Sequence, residues 1–363
     1  MIDNNKIVES LRTVRDPNTG QDLVTARMVE QLKIDDKRVQ FTLVLPSLGM
    51  AEKGQLHMAV VQAINAVYPE VEVDVHMAAK TAQSQQPTGS LPHVKNVIAV
   101  ASGKGGVGKS TVSVNLALGL QQLGARVGIL DADLYGPSIP TMLGLAGQRP
   151  KIQDVQGRPK IIPLAAYGMP VISIGFIVDP EQAVVMRGPR LSGLIRQFVQ
   201  DVTWPPLDYL IVDLPPGTGD VQLSLIQHVA VTGAVLVTTP QEVAVVDAIK
   251  AMNMFLLETV KIPILGVVEN MSWFTPAELP SNKYYIFGEG GGKRIAKMSN
   301  SMLLGQIPLV QSIREGGDEG KPAILQEVPQ LHQAFMKVAK NTARQVALRN
   351  EMLEPTQIVT LKQ

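Results

Sequence analysis

The sequence of 363 residues contains no cysteine. Disulfide bonds, thiol nucleophiles, cysteine-ligated zinc sites and cysteine-ligated iron–sulfur clusters are therefore excluded as features of this chain by itself. Aromatic residues make up only 4% of the sequence, which argues against a base-stacking surface for nucleic acid. No apolar run approaches the roughly 18 residues of a membrane-spanning helix, and the polar first residues lack a signal-peptide core, so we expect a cytoplasmic protein.

An excess of charge of either sign is also missing. Lys and Arg together number 33 and Asp and Glu 32, which leaves a formal net charge of +1. This balance provides no general attraction to nucleic acid or to an anionic membrane, so we expect neither as a partner. Hydrophobic residues reach 45%, enough for a well-filled core, and the length predicts about two domains at roughly 150 residues each.

The chain divides into four segments of different pattern. Residues 1–78 combine two strand-like runs with a helical pattern between them, which predicts a small α/β domain. Residues 79–93 are rich in Gln, Ser, Thr and Pro and are predicted to be a linker. Residues 94–349 alternate short continuous apolar runs with helical patterns, which predicts a mostly parallel twisted sheet with helices on both faces. Residues 350–363 are predicted to form a tail, and residues 146–175 an irregular insertion or hairpin.

A glycine-rich loop after the first of these apolar runs is the strongest motif. It fits the phosphate-binding pattern G-x-x-x-x-G-K-[ST], in which backbone N–H groups and a helix N-terminus surround phosphate oxygens. The pattern predicts that Lys109 contacts the β- and γ-phosphates of a nucleotide and that Ser110 ligates Mg²⁺. The nucleotide-binding residues predicted here are Gly103, Lys104, Gly105, Gly106, Val107, Gly108, Lys109, Ser110 and Thr111.

The same glycines permit one alternative. Gly103, Gly105 and Gly108 also satisfy G-x-G-x-x-G, and Asp131 follows the next strand, where a dinucleotide-binding fold places its ribose-binding acid. That hypothesis gives no role to the Lys-Ser-Thr that follows the last glycine. It also leaves the two motifs described next unexplained, so the phosphate-binding loop is preferred.

Acidic residues end two other predicted strands. Four apolar residues precede Asp213, which is typical of a Walker B strand whose carboxylate lies near Mg²⁺. Gly217 follows it, and its backbone N–H is predicted to sense the γ-phosphate. Asp131 and Asp133 end another strand, and we expect Asp133 to position the attacking water and Asp131 to assist it. Asn270 ends a further strand and is predicted to bind the base; because no N-K-x-D guanine motif is present, ATP is preferred over GTP.

Lys104, inside the loop and ahead of Lys109, makes this motif resemble the deviant Walker A of the MinD/ParA/nitrogenase iron-protein superfamily. A narrower resemblance, over about residues 94–345, is to the Mrp (ApbC-like) iron–sulfur cluster carrier ATPases. It rests on the P-loop and on residues 131–138, 187–189, 204–223, 269–272, 287–292 and 313–320. The N-terminal segment resembles the small domain fused ahead of many Mrp ATPases.

The resemblance implies a slow, dimeric ATPase that uses Mg²⁺ and serves iron–sulfur assembly partners or client apoproteins. It implies that Lys104 contacts the nucleotide of the partner subunit, and that Lys104, Lys109, Asp131, Asp133 and Asp213 serve catalysis. It assigns Ser110, Asp133 and Asp213 to the metal. In that family a C-x-x-C pair after the Asn-Met-Ser motif holds a [4Fe–4S] cluster across the homodimer, but the corresponding stretch 273–285 has no cysteine. The ATPase residues carry over and the cluster ligands do not.

Three functions stay open at this point. The first is an Mrp-type ATPase in iron–sulfur assembly, whose cluster is held by a partner's thiols or which acts as an ATP-driven chaperone. The second is a MinD/ParA-like regulatory or positioning ATPase without clusters. The third is a nucleotide-binding scaffold without turnover. The aromatic pairs 273–274 and 284–285 are interpreted as packing at a dimer interface, with a client-docking surface as the alternative.

Overall fold

A computed structural model of the chain describes residues 3–15, 21–25, 28–35, 38–45, 50–79, 91–133, 136–155, 157–177 and 188–354. Several sequence predictions fall outside these ranges: residues 80–90 of the linker, residues 134 and 135 of the acidic motif, Arg187 and the tail after residue 354. The chain divides into two compact units, residues 1–83 and 84–363.

The first unit is a three-stranded sheet with helices. Its elements are α1 (Asn4–Arg12), β1 (Val29–Ile34), β2 (Arg38–Leu45), α2 (Met50–Asn65) and β3 (Glu72–Ala79). β2 is central, antiparallel to β1 and parallel to β3. Buried side chains of α1 and α2, such as Leu11 and Val60, pack with Phe41 of β2, so the unit has a core of its own.

The second unit contains a sheet of eight strands. Its strands are β4 (Val94–Ala101), β5 (Val127–Asp131), β6 (Lys151–Val155), β7 (Arg158–Ile162), β8 (Leu164–Ala166), β9 (Met169–Ser173), β10 (Leu207–Asp213), β11 (Gly233–Thr238), β12 (Ile264–Glu269) and β13 (Met302–Gln306). Its helices are α3 (Lys109–Gln122), α4 (Ile139–Met142), α5 (Gly188–Gln200), α6 (Asp220–Ile226), α7 (Glu242–Leu256), α8 (Gly291–Met298), α9 (Gln311–Asp318) and α10 (Pro329–Met352).

The strand order of the large sheet is β13-β12-β11-β4-β10-β5-β9-β8. Every neighbouring pair is parallel except β8 with β9. β4 lies between β11 and β10. The strands that follow it directly in sequence lie on its β10 side, whereas β11, β12 and β13 lie on its other side, so the strand order reverses at β4. In parallel sheets of this type ligands bind at the carboxyl ends of the strands where the order reverses, and the loop after β4 starts there.

The apolar runs are continuous because both faces of the sheet are covered. Val97 and Ala99 of β4 pack into one core, while Ile98 and Val100 pack into the core on the other face. The first core includes residues of α5 and α7, and the second includes residues of α3 and α10. The predicted mostly parallel sheet with helices on both faces is thus confirmed.

The insertion 146–175 contains an antiparallel hairpin, β6–β7, which is one of the two forms predicted for it. Three details differ from the sequence prediction. The end of the insertion contributes β9 and the antiparallel edge strand β8 to the main sheet. The last helix continues to Met352, beyond the residue 349 at which the domain was predicted to end. β3 extends to Ala79, one residue into the predicted linker. Among the described helices, none combines the length and the apolar character needed to cross a lipid bilayer.

Candidate nucleotide site

Strand register brings the predicted acidic residues together. β10 lies between β4 and β5, and Asp213 is the register partner of Val100 on one side and of Asp131 on the other. Because all three strands are parallel, their carboxyl ends meet at one edge of the sheet. The phosphate-binding loop leaves β4 at this same edge, so two motifs about a hundred residues apart in sequence face each other.

Close packing constrains two glycines of the loop. Gly108 has φ +81°, and a Cβ atom there would lie 2.2 Å from the Asn270 side-chain nitrogen. At Gly103 the backbone of α7 approaches so closely that a Cβ would lie 2.0 Å from the carbonyl carbon of Asp247. Gly103 is therefore required by helix packing, and Gly108 by both its backbone conformation and the approach of Asn270.

Asn270 contacts the loop backbone directly. Its side-chain Nδ2 donates a hydrogen bond of 2.9 Å to the Val107 carbonyl, and its own backbone N–H donates to the Thr238 carbonyl. The residue is 6% exposed. The amide predicted to bind the base is thus engaged with the P-loop, and it connects that loop to the ends of β11 and β12.

Asp213 is the centre of the polar network. Its Oδ2 accepts hydrogen bonds from Lys109 Nζ at 2.7 Å and from the Ser110 hydroxyl at 2.6 Å. Its Oδ1 accepts a third from the Ser113 hydroxyl at 2.6 Å. Sequence reasoning missed Ser113, although it lies four residues after Lys109 in α3 and so on the same helix face. The carboxylate is fully buried and stabilised by three donors.

Asp133 is the second carboxylate at Lys109. Its Oδ2 lies 3.3 Å from Lys109 Nζ, and its buried Oδ1 has no hydrogen-bond partner among the described residues. Burial raises the pKa of the Asp133 carboxyl, and the Asp213 charge adds to this effect while Lys109 opposes it. Burial by itself would lower the pKa of Lys109, but the charges of Asp213 and Asp133 outweigh it and the pKa is raised.

Asp131 lies behind this network. Its carboxyl accepts hydrogen bonds from the Asp133 backbone N–H and from the Ser173 hydroxyl, which sequence reasoning did not identify. Burial, together with the Asp213 charge, raises the pKa of Asp131 to about 8. The structure does not bring Asp131 to the nucleotide cleft; it contacts Asp133 from the interior side.

Gly217, the predicted γ-phosphate sensor, makes a hydrogen bond within the protein. The Gly217 backbone N–H donates a hydrogen bond of 2.9 Å to the Ser102 carbonyl. The Ser102 hydroxyl in turn donates to the Lys104 carbonyl at 2.9 Å. The segment after β10 is therefore connected to the first residues of the P-loop through the Gly217 N–H.

A cleft of about 230 Å³ opens above the network. Its lining contains Asp133 and all the predicted loop residues except Gly103. Gly217 and Asn270 do not line it. The lining residues are Ser102, Lys104, Gly105, Gly106, Val107, Gly108, Lys109, Ser110, Thr111, Asp133, Gly136, Ser138, Met142 and Pro216. Among the described residues, no ion-pair partner lies near the Lys104 ammonium. The cleft thus combines backbone N–H groups, two lysines and a carboxylate oxygen without a partner.

The donors in the cleft fit Mg²⁺. The Ser110 hydroxyl, Asp213 and the unpaired Oδ1 of Asp133 are hard oxygen ligands, and Mg²⁺ is typically held by one or two carboxylates together with substrate phosphates. No group of three or more His, Cys, Asp or Glu side chains in the described ranges is arranged to hold a metal ion. Phosphate oxygens would therefore have to complete the ligand shell.

The stretch 273–285, which corresponds to the family's cysteine pair, is closed into a loop by backbone hydrogen bonds between its two ends and has no thiolate. Phe274 and Tyr284 pair through two backbone hydrogen bonds of 2.9 and 2.8 Å, and Lys283 Nζ lies 4.2 Å from the centre of the Trp273 ring. Phe274 and Tyr284 are 37% and 45% exposed. Carboxylate and phenol oxygens are poor ligands for an iron–sulfur cluster compared with thiolates. The residues present do not fit such a cluster.

Comparison with known proteins identifies relatives along almost the whole chain. Residues 93–343 match the family described as NUBPL iron-transfer P-loop NTPase, and residues 4–75 match the family described as iron-sulfur cluster assembly protein. The iron-sulfur cluster carrier protein of Synechocystis is 44% identical over 96% of this chain and 98% of its own length. The protein of the same name from Deinococcus radiodurans is 44% identical over 99% of this chain and 100% of its own length.

Solved structures agree with the fold. The nucleotide-binding protein of Archaeoglobus fulgidus, solved in complex with ADP, is 37% identical and has a TM-score of 0.57, with 67% of this chain and 93% of that chain covered. The cell division ATPase MinD of Pyrococcus furiosus has a TM-score of 0.51 at 24% identity, over 69% of this chain and 98% of that chain, which shows a shared fold alone. The chain belongs to the NUBPL iron-transfer P-loop NTPase family, whose full-length relatives are iron-sulfur cluster carrier proteins.

Proposed function

We propose that the chain is an ATP-binding and ATP-hydrolysing switch that works as a homodimer in iron–sulfur cluster assembly or transfer. The observation that carries the proposal is the convergence of Lys109, Ser110, Asp213 and Asp133 at a cleft lined by the residues of the phosphate-binding loop. This set can neutralise a polyphosphate, hold Mg²⁺ and orient a water molecule. The ADP complex of the Archaeoglobus relative supports the choice of an adenine nucleotide.

Lys109 exchanges partners when nucleotide binds. Its ammonium contacts Asp213 and Asp133, and phosphate oxygens take the place of at least one of them. Ser110 and Asp213 would hold Mg²⁺, which supplies charge neutralisation at the β- and γ-phosphates. Asp133, released from Lys109, accepts a hydrogen bond from the attacking water with the Oδ2 that Lys109 has left and aligns it with the γ-phosphorus, opposite the β–γ bridging oxygen.

Lys104 acts on the other subunit. Its ammonium has no ion-pair partner among the described residues and borders the cleft, so it is available to a nucleotide held by a second copy. Asp131 supports Asp133 through its backbone N–H and is a positioning residue. Hydrolysis is slow without a partner, because the bound state is the signal that the switch stores.

The cluster is cargo, and the thiols that ligate it belong to assembly partners or client apoproteins. This part of the proposal rests on the absence of cysteine from the sequence and on the closed stretch 273–285. Iron and sulfide content after anaerobic reconstitution tests it, with and without ATP. We expect no retained iron; about two iron atoms per subunit, as one four-iron cluster per dimer requires, would overturn this assignment.

The nucleotide part is tested by equilibrium binding of ADP and ATP with Mg²⁺ and by phosphate release. Lys109→Ala is expected to abolish binding. Lys104→Ala is expected to keep most of the binding but to lose ATP-dependent dimerisation in sedimentation experiments. Lys95→Ala is the matched control, because Lys95 is at the opposite end of β4 and pairs with Asp208 on the surface. Wild-type dimerisation of the Lys104 variant would refute its role in the partner's site.

A further inference from the structure

Gln222 is a buried residue for which the mechanism above has no use. It lies in the first turn of α6 and is 1% exposed. Its side-chain Nε2 donates to the Pro215 carbonyl and to the Gly217 carbonyl, both at 2.7 Å. The amide thus holds both sides of the tight segment between β10 and α6. This segment contains Gly217, whose N–H is bound to the Ser102 carbonyl.

The orientation of the Gln222 amide follows from its partners. Both neighbours of Nε2 are carbonyl oxygens, so a flipped amide would place its own oxygen against two acceptors. In the orientation that satisfies them, Oε1 is buried and has no partner among the described residues. A buried acceptor without a protein donor is costly unless a water or another ligand satisfies it, so such a group in a native protein calls for an explanation. Here the cost is incurred next to the residue predicted to sense the γ-phosphate.

Resting on the proposed function, we propose that Gln222 is a positioning residue that holds the segment between β10 and α6 with the Gly217 N–H on the Ser102 carbonyl. Through the two carbonyls it keeps Gly217 turned so that its N–H reaches Ser102 rather than the cleft. A γ-phosphate competes with the Ser102 carbonyl for this N–H. The hydrogen bond from Gly217 to Ser102, together with the Gln222 amide, will be called the latch.

The latch affects the two nucleotides differently. ADP lacks a γ-phosphate, has no group that competes for Gly217 N–H, and binds whether the latch is closed or open. ATP gains the Gly217 contact only when the latch is open, so part of its binding free energy is spent on opening. A ligand shifts an equilibrium only by its differential affinity for the two states. Weakening the latch therefore tightens ATP binding and leaves ADP binding unchanged.

The test measures the Kd of ADP and of a non-hydrolysable ATP analogue, adenylyl imidodiphosphate, at one protein concentration. Gln222→Glu replaces the donor by an acceptor facing two carbonyls, and Gln222→Met removes the donor at similar volume. For both, the ratio of the ADP Kd to the analogue Kd is expected to rise about fivefold or more, the factor for one lost neutral hydrogen bond.

Gln326→Glu is the matched control. Gln326 Nε2 also donates to two backbone carbonyls, those of Ser312 and Lys321, and it does not line the nucleotide cleft. This variant is expected to lower Tm without changing the ratio of the two Kd values. The second Gln222 variant covers the case in which the first fails to fold, and thermal unfolding of each variant verifies that it is folded.

The outcomes separate the two proposals. Equal changes in both Kd values, or weaker binding of the analogue alone, would show that Gln222 is only structural or supports the ATP state, and either would overturn the latch. Wild-type protein that binds neither nucleotide would overturn the proposed function and the latch with it. Wild-type binding with an unchanged ratio in both Gln222 variants would overturn the latch alone.

Discussion

Removing the ammonium of Lys109 should destabilise the nucleotide-free protein measurably. The side chain is 5% exposed and lies 2.7 Å from fully buried Asp213 and 3.3 Å from Asp133. In Lys109→Met the buried carboxylates lose their counter-charge, and breaking a buried pair in this way typically costs about 3–5 kcal/mol. Because Asp213 keeps the hydroxyls of Ser110 and Ser113, we expect the lower end, about 3 kcal/mol.

That loss of stability translates into a melting temperature. For a unit of this size, 1 kcal/mol corresponds to roughly 2–4 °C, so Tm should fall by about 6–12 °C. Differential scanning calorimetry without nucleotide, at about pH 8, is the assay. The deficit should shrink as the pH is lowered to about 5, because an unpaired buried carboxylate then takes up a proton.

Lys104→Met is the matched control for this measurement. Lys104 is in the same loop, but it has no ion-pair partner among the described residues, so its replacement should leave Tm within about 1 °C of wild type. A Lys109→Met protein that melts as wild type does at pH 8 would refute the reasoning, because the buried carboxylates would then be stable without a cation.

Three further predictions follow from the site. Asp131→Asn should flatten the dependence of Tm on pH. The native carboxyl keeps its proton up to about 8, while the unfolded one loses it near 3.8. Wild-type stability therefore falls between these pH values by at most about 1.4 kcal/mol per pH unit and is level above them, and an unchanged slope in the variant would contradict the assignment. Gly103→Ala should lower both Tm and nucleotide affinity, because its Cβ would overlap the Asp247 backbone; wild-type values for both quantities would rule out the helix contact as the constraint. Ser113→Ala should weaken nucleotide binding about fivefold, measured by titration, since Asp213 loses one of its three donors, and equal affinity would show that Ser113 does not position the carboxylate.

The sequence was sufficient for the large sheet and for most of the phosphate loop. Continuous apolar runs predicted parallel strands, and these strands pair in parallel in the structure. The prediction succeeds because a strand that is buried on both faces has apolar side chains on both. The convergence of Asp213 with the loop was predictable, since parallel strands end at one edge. The edge strand β8 was not predicted, because three residues carry too short a pattern.

Partners in the site were less predictable than positions. Asn270 was expected at the base, but hydrogen bonding to the Val107 carbonyl depends on how β12 ends beside the loop. Gly217 was expected to face a phosphate, whereas its N–H reaches Ser102, a contact between segments more than a hundred residues apart. Asp131 was expected to act on water, but it is completely buried and accepts a hydrogen bond from Ser173. Ser173 is on β9, a strand within the insertion whose apolar pattern did not reveal it.

The network around Lys109 has a consequence for the kinetics of nucleotide binding. Two ammonium groups, Lys104 and Lys109, line the cleft together with the Asp133 carboxylate, and the fully buried Asp213 carboxylate pairs with Lys109. The charges cancel, and the whole chain carries only +1. An incoming Mg·ATP anion therefore meets no attractive field at long range, so its association rate should vary little with ionic strength. Attraction arises at contact, when phosphate oxygens displace carboxylates from Lys109, so capture depends on this local exchange.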